Sequence, residues 1–105
     1  MARRSLAMDM SAFEDNAAEA ARILKLLANE RRLLILCRLV MEGEMSVGPL
    51  ADAVGLSQSA LSQHLARMRE EGLLATRRDA QTVFYRIANA DIGRILKLLK
   101  EIYCP

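Results

Sequence analysis

Hydrophobic residues recur every three or four positions through most of the chain, but they alternate with polar residues in one stretch near residues 74–88. The first spacing is typical of amphipathic helices, and the second is typical of β-strands. We therefore predict a mainly α protein with a β-hairpin, in the order α-α-α-α-β-β-α. At 105 residues, without repeats or linkers, the chain is expected to form one domain.

Two short helices joined by a tight turn are predicted in the middle of the chain. The first runs from about Val47 to Val54 and ends at Gly55, because glycine adopts the positive φ of a helix end without steric cost. Ser57 suits the N-cap of the second helix, which reaches about Glu71. Two helices around a short turn that contains glycine are typical of a helix-turn-helix, whose second helix enters the DNA major groove.

The second of these helices has an apolar and a polar face. Leu61, Leu65 and Met68 follow helical spacing and are expected to face inward. The other side carries short polar side chains with little charge, which can donate to and accept from base edges. The alternative is an ordinary solvated helix. We assign DNA contacts to Ser57, Gln58, Ser59, Ser62, Gln63, His64 and Arg67.

A β-hairpin is predicted directly after the helix-turn-helix. Its two strands flank Asp79–Gln81, although the Asn-Gly pair that favours a tight hairpin turn is missing. A hairpin in this place is the wing of a winged-helix fold, and its basic tip is suited to contact phosphate. We assign wing contacts to Arg77, Arg78, Gln81 and Thr82.

The first helix is predicted to begin at a capping box formed by Ser11 and Glu14, and to continue to about Ala28. Residues 1–10 are then expected to be a flexible N-terminal tail, and residues 11–105 the folded domain. One side of the helix is an apolar stripe. That stripe is buried either in the chain's own core or against a partner.

The second helix, from about Glu30 to Met41, is apolar on nearly all sides and is therefore expected to be central. Arg31 and Arg32 precede its apolar run. We expect both to be solvated charges rather than phosphate contacts. A last helix begins at Asn89 or Asp91, and it is too short to be stable without packing partners.

Composition and charge exclude several classes of protein. No apolar run is long enough for a membrane span, and the first ten residues lack the apolar core of a signal peptide. Two cysteines do not make a disulfide scaffold, and they fit a reducing, cytoplasmic setting. A net charge of +2 permits nucleic-acid binding without arguing for it. One histidine and no glycine-rich phosphate loop make an enzyme unexpected.

The motifs NERR, SQSALSQHL and RRDAQTVFY together resemble the ArsR/SmtB family of small bacterial winged-helix repressors. The resemblance covers nearly the whole chain after the first ten residues, and it is strongest for the branch of hemolysin-gene and persulfide-responsive regulators. It implies a cytoplasmic homodimer that binds operator DNA, has no membrane partner and is released by a chemical signal. The implied dimer interface comprises Ala17, Ala20, Ala21, Leu24, Ile95, Leu99 and Ile102.

The resemblance also implies that Cys37 and Cys104 form a redox sensor, because thiol-sensing relatives carry nearby cysteines at these two places. Reactive sulfur or an oxidant would be the inducer. The alternative is that Cys37 is a small buried hydrophobe and the cysteines are structural. A metal-sensing repressor remains a further alternative, but the third helix lacks the cysteine pair of such relatives and the last helix lacks their histidines. We predict no metal site and no cofactor. A protein–protein adaptor that does not bind DNA is the third alternative.

Pro49 departs from the family pattern. Related sequences often carry glutamate at this position, where it would complete a capping box with Ser46. Proline is tolerated in a first helical turn, so the fold is not in doubt. The start of the third helix is expected to be held in a different way.

Overall fold

Five α-helices and three β-strands make up the part of the chain that the structure describes. This computed structural model describes residues 2–104, with side chains from residue 10 onward. The elements are α1 (Ala2–Leu27), α2 (Glu30–Glu42), β1 (Met45–Ser46), α3 (Val47–Val54), α4 (Gln58–Glu70), β2 (Leu74–Asp79), β3 (Thr82–Ile87) and α5 (Ala90–Tyr103). Their order confirms the predicted winged helix-turn-helix, with α3 and α4 as its two helices and β2–β3 as the wing.

One predicted element boundary is wrong, and one strand was not predicted. α1 begins at Ala2 and not at Ser11, so the predicted division after residue 10 does not mark a helix start. Alanine, arginine, leucine and methionine precede Ser11, and all four favour helix formation. The helix therefore runs through Ser11 and Glu14, although these residues form a pattern that can also start a helix. The strand β1 was not predicted, because two residues are too few to show an alternating pattern.

Side-chain caps start three of the helices where the sequence predicted them. Asn29 Oδ1 accepts from the backbone N–H of Arg32 at 3.1 Å, and Ser57 Oγ accepts from that of Ala60 at 3.1 Å. Asn89 Oδ1 accepts from the N–H of Asp91 at 2.7 Å, which places the start of α5. Each cap satisfies a backbone donor that the first helical turn leaves free.

The helix-turn-helix entry is held by the sheet. Ser46 is the N-cap of α3 but makes no side-chain cap hydrogen bond. It pairs instead with Phe84 across the β1–β3 ladder, so strand pairing sets the position where α3 begins. At the other end, Gly55 has φ 70°, the left-handed conformation predicted from the sequence. These two features orient α3 against α4.

The core lies where α2 meets the other helices and the sheet. Ile35, Leu36 and Leu39 of α2 are fully buried, which confirms its predicted central place. The remaining buried hydrophobic residues come from every other element except β1 and β3, and are Leu27, Leu50, Ala51, Leu61, Leu65, Met68, Leu73, Leu74, Ile92 and Leu96. The polar face of α4 and the wing are thereby left at the surface.

The antiparallel sheet has the order β1-β3-β2. Tyr85 and Ile87 pack against the core, and the alternate residues of β3 lie on the opposite, outer face. Asp79 pairs with Thr82, so the wing turns through two residues within the predicted tip. Ala80 has φ 56°, the only positive φ outside glycine among the described residues. Such a conformation costs an L-residue about 1–2 kcal/mol.

Candidate nucleic-acid interface

The recognition helix α4 presents its polar face to solvent. Leu61, Leu65 and Met68 are fully buried, which confirms the inward face predicted from spacing. The predicted contact residues that are exposed are Ser57, Gln58, Ser59, Ser62, Gln63 and Arg67. The Ser57 hydroxyl already accepts a hydrogen bond from the Ala60 N–H, so the role of Ser57 is to cap the helix. Base edges can be read by the serine and glutamine side chains that follow it.

His64 lies at the edge of the reading face and is partly buried. It lines a small surface groove of about 140 Å³ together with Ala60, Gln63 and Arg67. The structure therefore brings three of the predicted contact residues to one side of α4. An imidazole and a guanidinium beside a reading glutamine are suited to contact the phosphate backbone next to the base that the glutamine reads.

The two wing arginines lie on opposite faces of the sheet, because they are consecutive in β2. Arg77 pairs with Phe84 on the outer face, and its guanidinium carbon lies 4.6 Å from the centre of the Phe84 ring. Its Nε donates to Glu44 Oε1 at 3.2 Å. Arg78 is exposed and forms no ion pair with any of residues 10–104. Of the two predicted wing arginines, Arg78 is thus the one that is free for phosphate.

Glu44 is a functional neighbour that no sequence pattern indicated. Its carboxylate accepts hydrogen bonds from Arg77, which lower the pKa of Glu44, and the nearby Arg86 lowers it further. The Glu44 carboxylate therefore stays ionised and keeps Arg77 in place at neutral pH. Gln81 and Thr82, the other predicted wing contacts, are exposed at the tip.

An ion pair ties the end of the recognition helix to the rest of the fold. Arg32 Nη1 lies 2.7 Å from Glu71 Oε1, and the two side chains are 11% and 27% exposed. Arg32 Nη2 donates to Glu71 Oε2 at 3.2 Å, and Nη1 donates to the Leu26 carbonyl at 3.1 Å. The contact at Oε1 is ionic, because its geometry is not that of a hydrogen bond. The expectation that Arg32 is a solvated charge is wrong.

This pair links three helices. Leu26 belongs to the last turn of α1, Arg32 to the first turn of α2, and Glu71 is the C-cap of α4. No local pattern could have indicated it, because Arg32 and Glu71 are 39 positions apart. Arg31, beside Arg32, is exposed, as expected.

The two cysteines are free thiols on neighbouring helices. Cys37 is partly buried in α2, and burial raises the pKa of its thiol, while the positive charge of Lys100 opposes that rise. Cys104 is exposed at the end of α5, where its N–H donates to the Lys100 carbonyl at 2.7 Å. Among the residues the structure describes, no group of three or more His, Cys, Asp and Glu side chains is placed to hold a metal ion.

The predicted dimer residues lie along α1 and α5. Leu24 and Ile102 are 56% and 57% exposed. Ala17, Ala20, Ile95 and Leu99 are partly buried, and Ala21 is exposed. Ala20, Leu24 and Ile95 line a groove of about 500 Å³ between the two helices. No helix in residues 2–104 has both the length and the apolar character needed to cross a membrane.

A wing beside an exposed polar recognition helix defines a DNA-binding winged-helix protein. Residues 29–76 match the family model described as bacterial regulatory protein, arsR family. The transcriptional activator HlyU of Vibrio cholerae is 50% identical over 97 residues, which cover 92% of this chain and 89% of that protein. The Escherichia coli regulator YgaV is 45% identical over 97 residues, covering 92% of this chain and 98% of that protein.

Solved structures agree with the sequence match. The structure described as reduced HlyU from Vibrio cholerae has a TM-score of 0.80 and 50% identity, and the match covers 90% of this chain and 98% of that one. The chain belongs to the ArsR family of bacterial transcriptional regulators. It is a DNA-binding regulator and not an enzyme.

Proposed function

We propose that this regulator is a cytoplasmic homodimer that reads a palindromic operator and leaves it when Cys37 and Cys104 are modified by reactive sulfur. The observation that carries the proposal is the packing of α2 against α5, which brings the two thiols of the chain to adjoining helices. The exposed Gln/Ser face of α4 supports operator reading. The sparse packing of α1 supports the dimer.

The dimer is argued from the shape of the single chain. α1 makes few contacts with the other elements, and the radius of gyration is 16.3 Å. A compact chain of this length would have a radius of gyration of about 13 Å. A long helix with exposed apolar residues such as Phe13 and Leu24 needs a cover. A second copy supplies it, because α1 and α5 then bury their stripes together across a two-fold axis.

A two-fold dimer predicts the form of the operator. Two copies of α4 would enter successive major grooves about 34 Å apart, so the site should be a palindrome. Gln58, Ser59, Ser62 and Gln63 would contact base edges, while His64 and Arg67 would contact phosphate beside them. From the wing, Arg78, Gln81 and Thr82 would reach the backbone. Arg77 would act through Glu44 by holding the wing in position.

The thiol step is a transfer of sulfane sulfur from a hydropersulfide, RS–SH. The Cys37 thiolate attacks the outer sulfur, so a Cys37 S–S bond forms, the RS–S bond breaks and RS⁻ leaves with the electron pair. The same exchange at Cys104 gives a second persulfide. The two persulfides then condense to a trisulfide and release H₂S, so the reagent itself is the oxidant.

A bridge of several sulfurs fits the helix geometry better than a simple disulfide. α2 and α5 run antiparallel, because they pack against each other and Leu39 and Val40 at the end of α2 line a cavity with Ala90, Gly93 and Lys97 from the first part of α5. Extending both helices from that contact places Cys104 about one turn, or ~6 Å, beyond the level of Cys37. An offset of this size is close to the longest Cα separation that a plain disulfide allows, and a trisulfide would span it with less strain. Linking the two cysteines would move the end of α5, and with it the dimer partner and the spacing of the two recognition helices.

The experiment combines a DNA titration with mass measurement. Reduced protein is titrated onto the promoter beside its own gene at several salt concentrations, then treated with glutathione persulfide or with peroxide. We expect a salt-sensitive complex that persulfide releases, together with the mass change of a trisulfide, which is the gain of one sulfur and the loss of two hydrogens. The variant Cys37→Ser/Cys104→Ser contains no thiol, since the chain has two cysteines, and is the matched control.

Each part of the proposal can fail separately. No salt-sensitive complex with any promoter fragment would favour a protein–protein adaptor over DNA reading. A cysteine-free variant that still leaves DNA after treatment would end the two-thiol hypothesis. Stable monomers in light scattering of the unmodified protein would remove the dimer and, with it, the palindrome.

A further inference from the structure

Lys100 is a partly buried cation without a partner in the described chain. It lies one helical turn beyond the buried Leu96 on α5, and its side chain is partly buried, whereas Lys97 on the same helix is exposed. None of the carboxylates in residues 10–104 is within ion-pair distance of its ammonium. Lys100 therefore carries an ammonium that no described carboxylate neutralises.

The antiparallel packing of α2 and α5 places Lys100 level with Cys37. Val40 of α2 shares a cavity with Lys97 of α5. Cys37 is three residues before Val40, and Lys100 is three residues after Lys97. Both steps advance about 4.5 Å along antiparallel axes in the same direction. The charge of Lys100 accordingly reaches the thiol, because it lowers the pKa of Cys37 against the opposing effect of burial.

Other charges near Cys37 are better solvated. Glu30 lines the open groove beside the thiol, but it is exposed at the start of α2. Arg38 is exposed and lies 3.9 Å from the Glu42 carboxylate. Solvent screens charges of this kind, whereas Lys100 is partly buried on α5, the helix that packs against α2. Lys100 is therefore the charge with the largest influence on Cys37.

We propose that Lys100 is a positioning residue for the thiol switch, by which we mean the modification of Cys37 and Cys104 that releases DNA. Lys100 stabilises the Cys37 thiolate and directs anionic low-molecular-weight persulfides to it. The inference rests on the proposed function for its biological role. When the thiolate takes the outer sulfur of RS–SH, the negative charge passes from Cys37 to the departing RS⁻. An ammonium beside both sulfurs stabilises the charge before and after the transfer. It also attracts reagents that carry carboxylates.

The test measures Cys37 alone, in a Cys104→Ser background. Alkylation rates are recorded across pH with iodoacetamide, which is neutral, and with iodoacetate, which is anionic. We expect Lys100→Gln to move the pH midpoint upward and to slow iodoacetamide by about threefold near neutral pH, because a more basic thiolate is scarcer but more nucleophilic. The preference for iodoacetate should fall further, since that reagent also loses the attraction of the charge.

Two variants separate charge from packing. Lys100→Arg keeps the charge and should retain both the midpoint and the iodoacetate preference. Lys97→Gln removes an exposed charge from the same helix and should change neither. The inference is overturned if Lys100→Gln leaves both quantities unchanged, or if Lys97→Gln shifts them equally. If reduced Lys100→Gln binds DNA as tightly as the parent does, its fold is intact and its alkylation data can be used. If it does not, Lys100→Arg decides the test: a shifted pH midpoint in this variant, which keeps the charge, would exclude a charge effect and overturn the inference.

The outcomes also separate this inference from the proposed function. If the DNA complex ignores persulfide while Lys100→Gln still alters Cys37 alkylation, the thiol switch fails and the role of Lys100 at the thiol stands. If persulfide releases DNA equally from the parent and from Lys100→Gln, with equal alkylation profiles, the switch stands without Lys100.

Discussion

Glu71→Gln should destabilise the protein by removing one charge from the pair that ties the recognition helix to α1 and α2. Arg32 would keep its charge at 11% exposure, with its Nη1 still donating to the Leu26 carbonyl. Breaking a buried ion pair costs about 3–5 kcal/mol. Glu71 is 27% exposed, so solvent screens part of the interaction and we expect about 2 kcal/mol. For a domain of this size that is a fall of about 8–16 °C in Tm.

Urea and thermal unfolding at one fixed protein concentration would measure this cost, because dimer formation makes Tm depend on concentration. Glu70→Gln is the matched control. It makes the same chemical change one position earlier, at an exposed residue with no ion pair among residues 10–104. We expect its effect to stay within about 0.5 kcal/mol.

A double-mutant cycle with Arg32→Met isolates the pairwise part of the energy. We expect a coupling of about 1–2 kcal/mol between Arg32 and Glu71, within the range for residues in contact. Glu71→Gln should also weaken operator binding, because the Arg32–Glu71 pair ties the end of α4 to α1 and α2 and its loss loosens the position of the recognition helix. Equal stabilities of Glu71→Gln and Glu70→Gln, or a coupling near zero, would refute the reasoning.

Four further outcomes are expected. Gln63→Ala should cost about 1–3 kcal/mol in operator binding and relax specificity at one base pair, and unchanged affinity and selectivity would contradict the face assignment. Arg78→Gln should reduce the slope of log affinity for DNA against log salt concentration by about one, whereas Arg77→Gln should leave that slope nearly unchanged. Equal slopes for the two variants in a salt titration would show that Arg77 and Arg78 do not differ in phosphate contact. Leu24→Glu should abolish the dimer and DNA binding together in light scattering and gel shift, because it buries an unpaired charge. Ala80→Gly should raise the free energy of unfolding by about 0.5–1 kcal/mol, since glycine relieves the positive φ at the wing tip, and a loss of stability in urea would show that no strain is stored there.

Local chemistry determined much of this protein from its sequence. Asn29, Ser57 and Asn89 start helices because a side-chain oxygen satisfies donors within three residues. The buried face of α4 follows from spacing alone, because helical periodicity places every third or fourth residue on one side. The wing follows from alternation. For these reasons local patterns in the sequence correctly predict the fold and the inward face of the recognition helix, while the family was indicated by the resemblance of the motifs NERR, SQSALSQHL and RRDAQTVFY.

Contacts between distant segments were decided only by the tertiary structure. Arg77 and Arg78 are equivalent in the sequence, yet the pairing register places Arg77 beside Glu44 and Phe84 and leaves Arg78 without an ion pair among residues 10–104. Arg32 reaches Glu71 across 39 positions, and no periodic pattern records such a pair. Lys100 becomes relevant to Cys37 only because α2 and α5 cross antiparallel. The local sequence pattern predicts which face of a helix or strand a side chain occupies. The residue that the side chain contacts depends on which element packs against that face, and that packing is determined by how the whole core is buried.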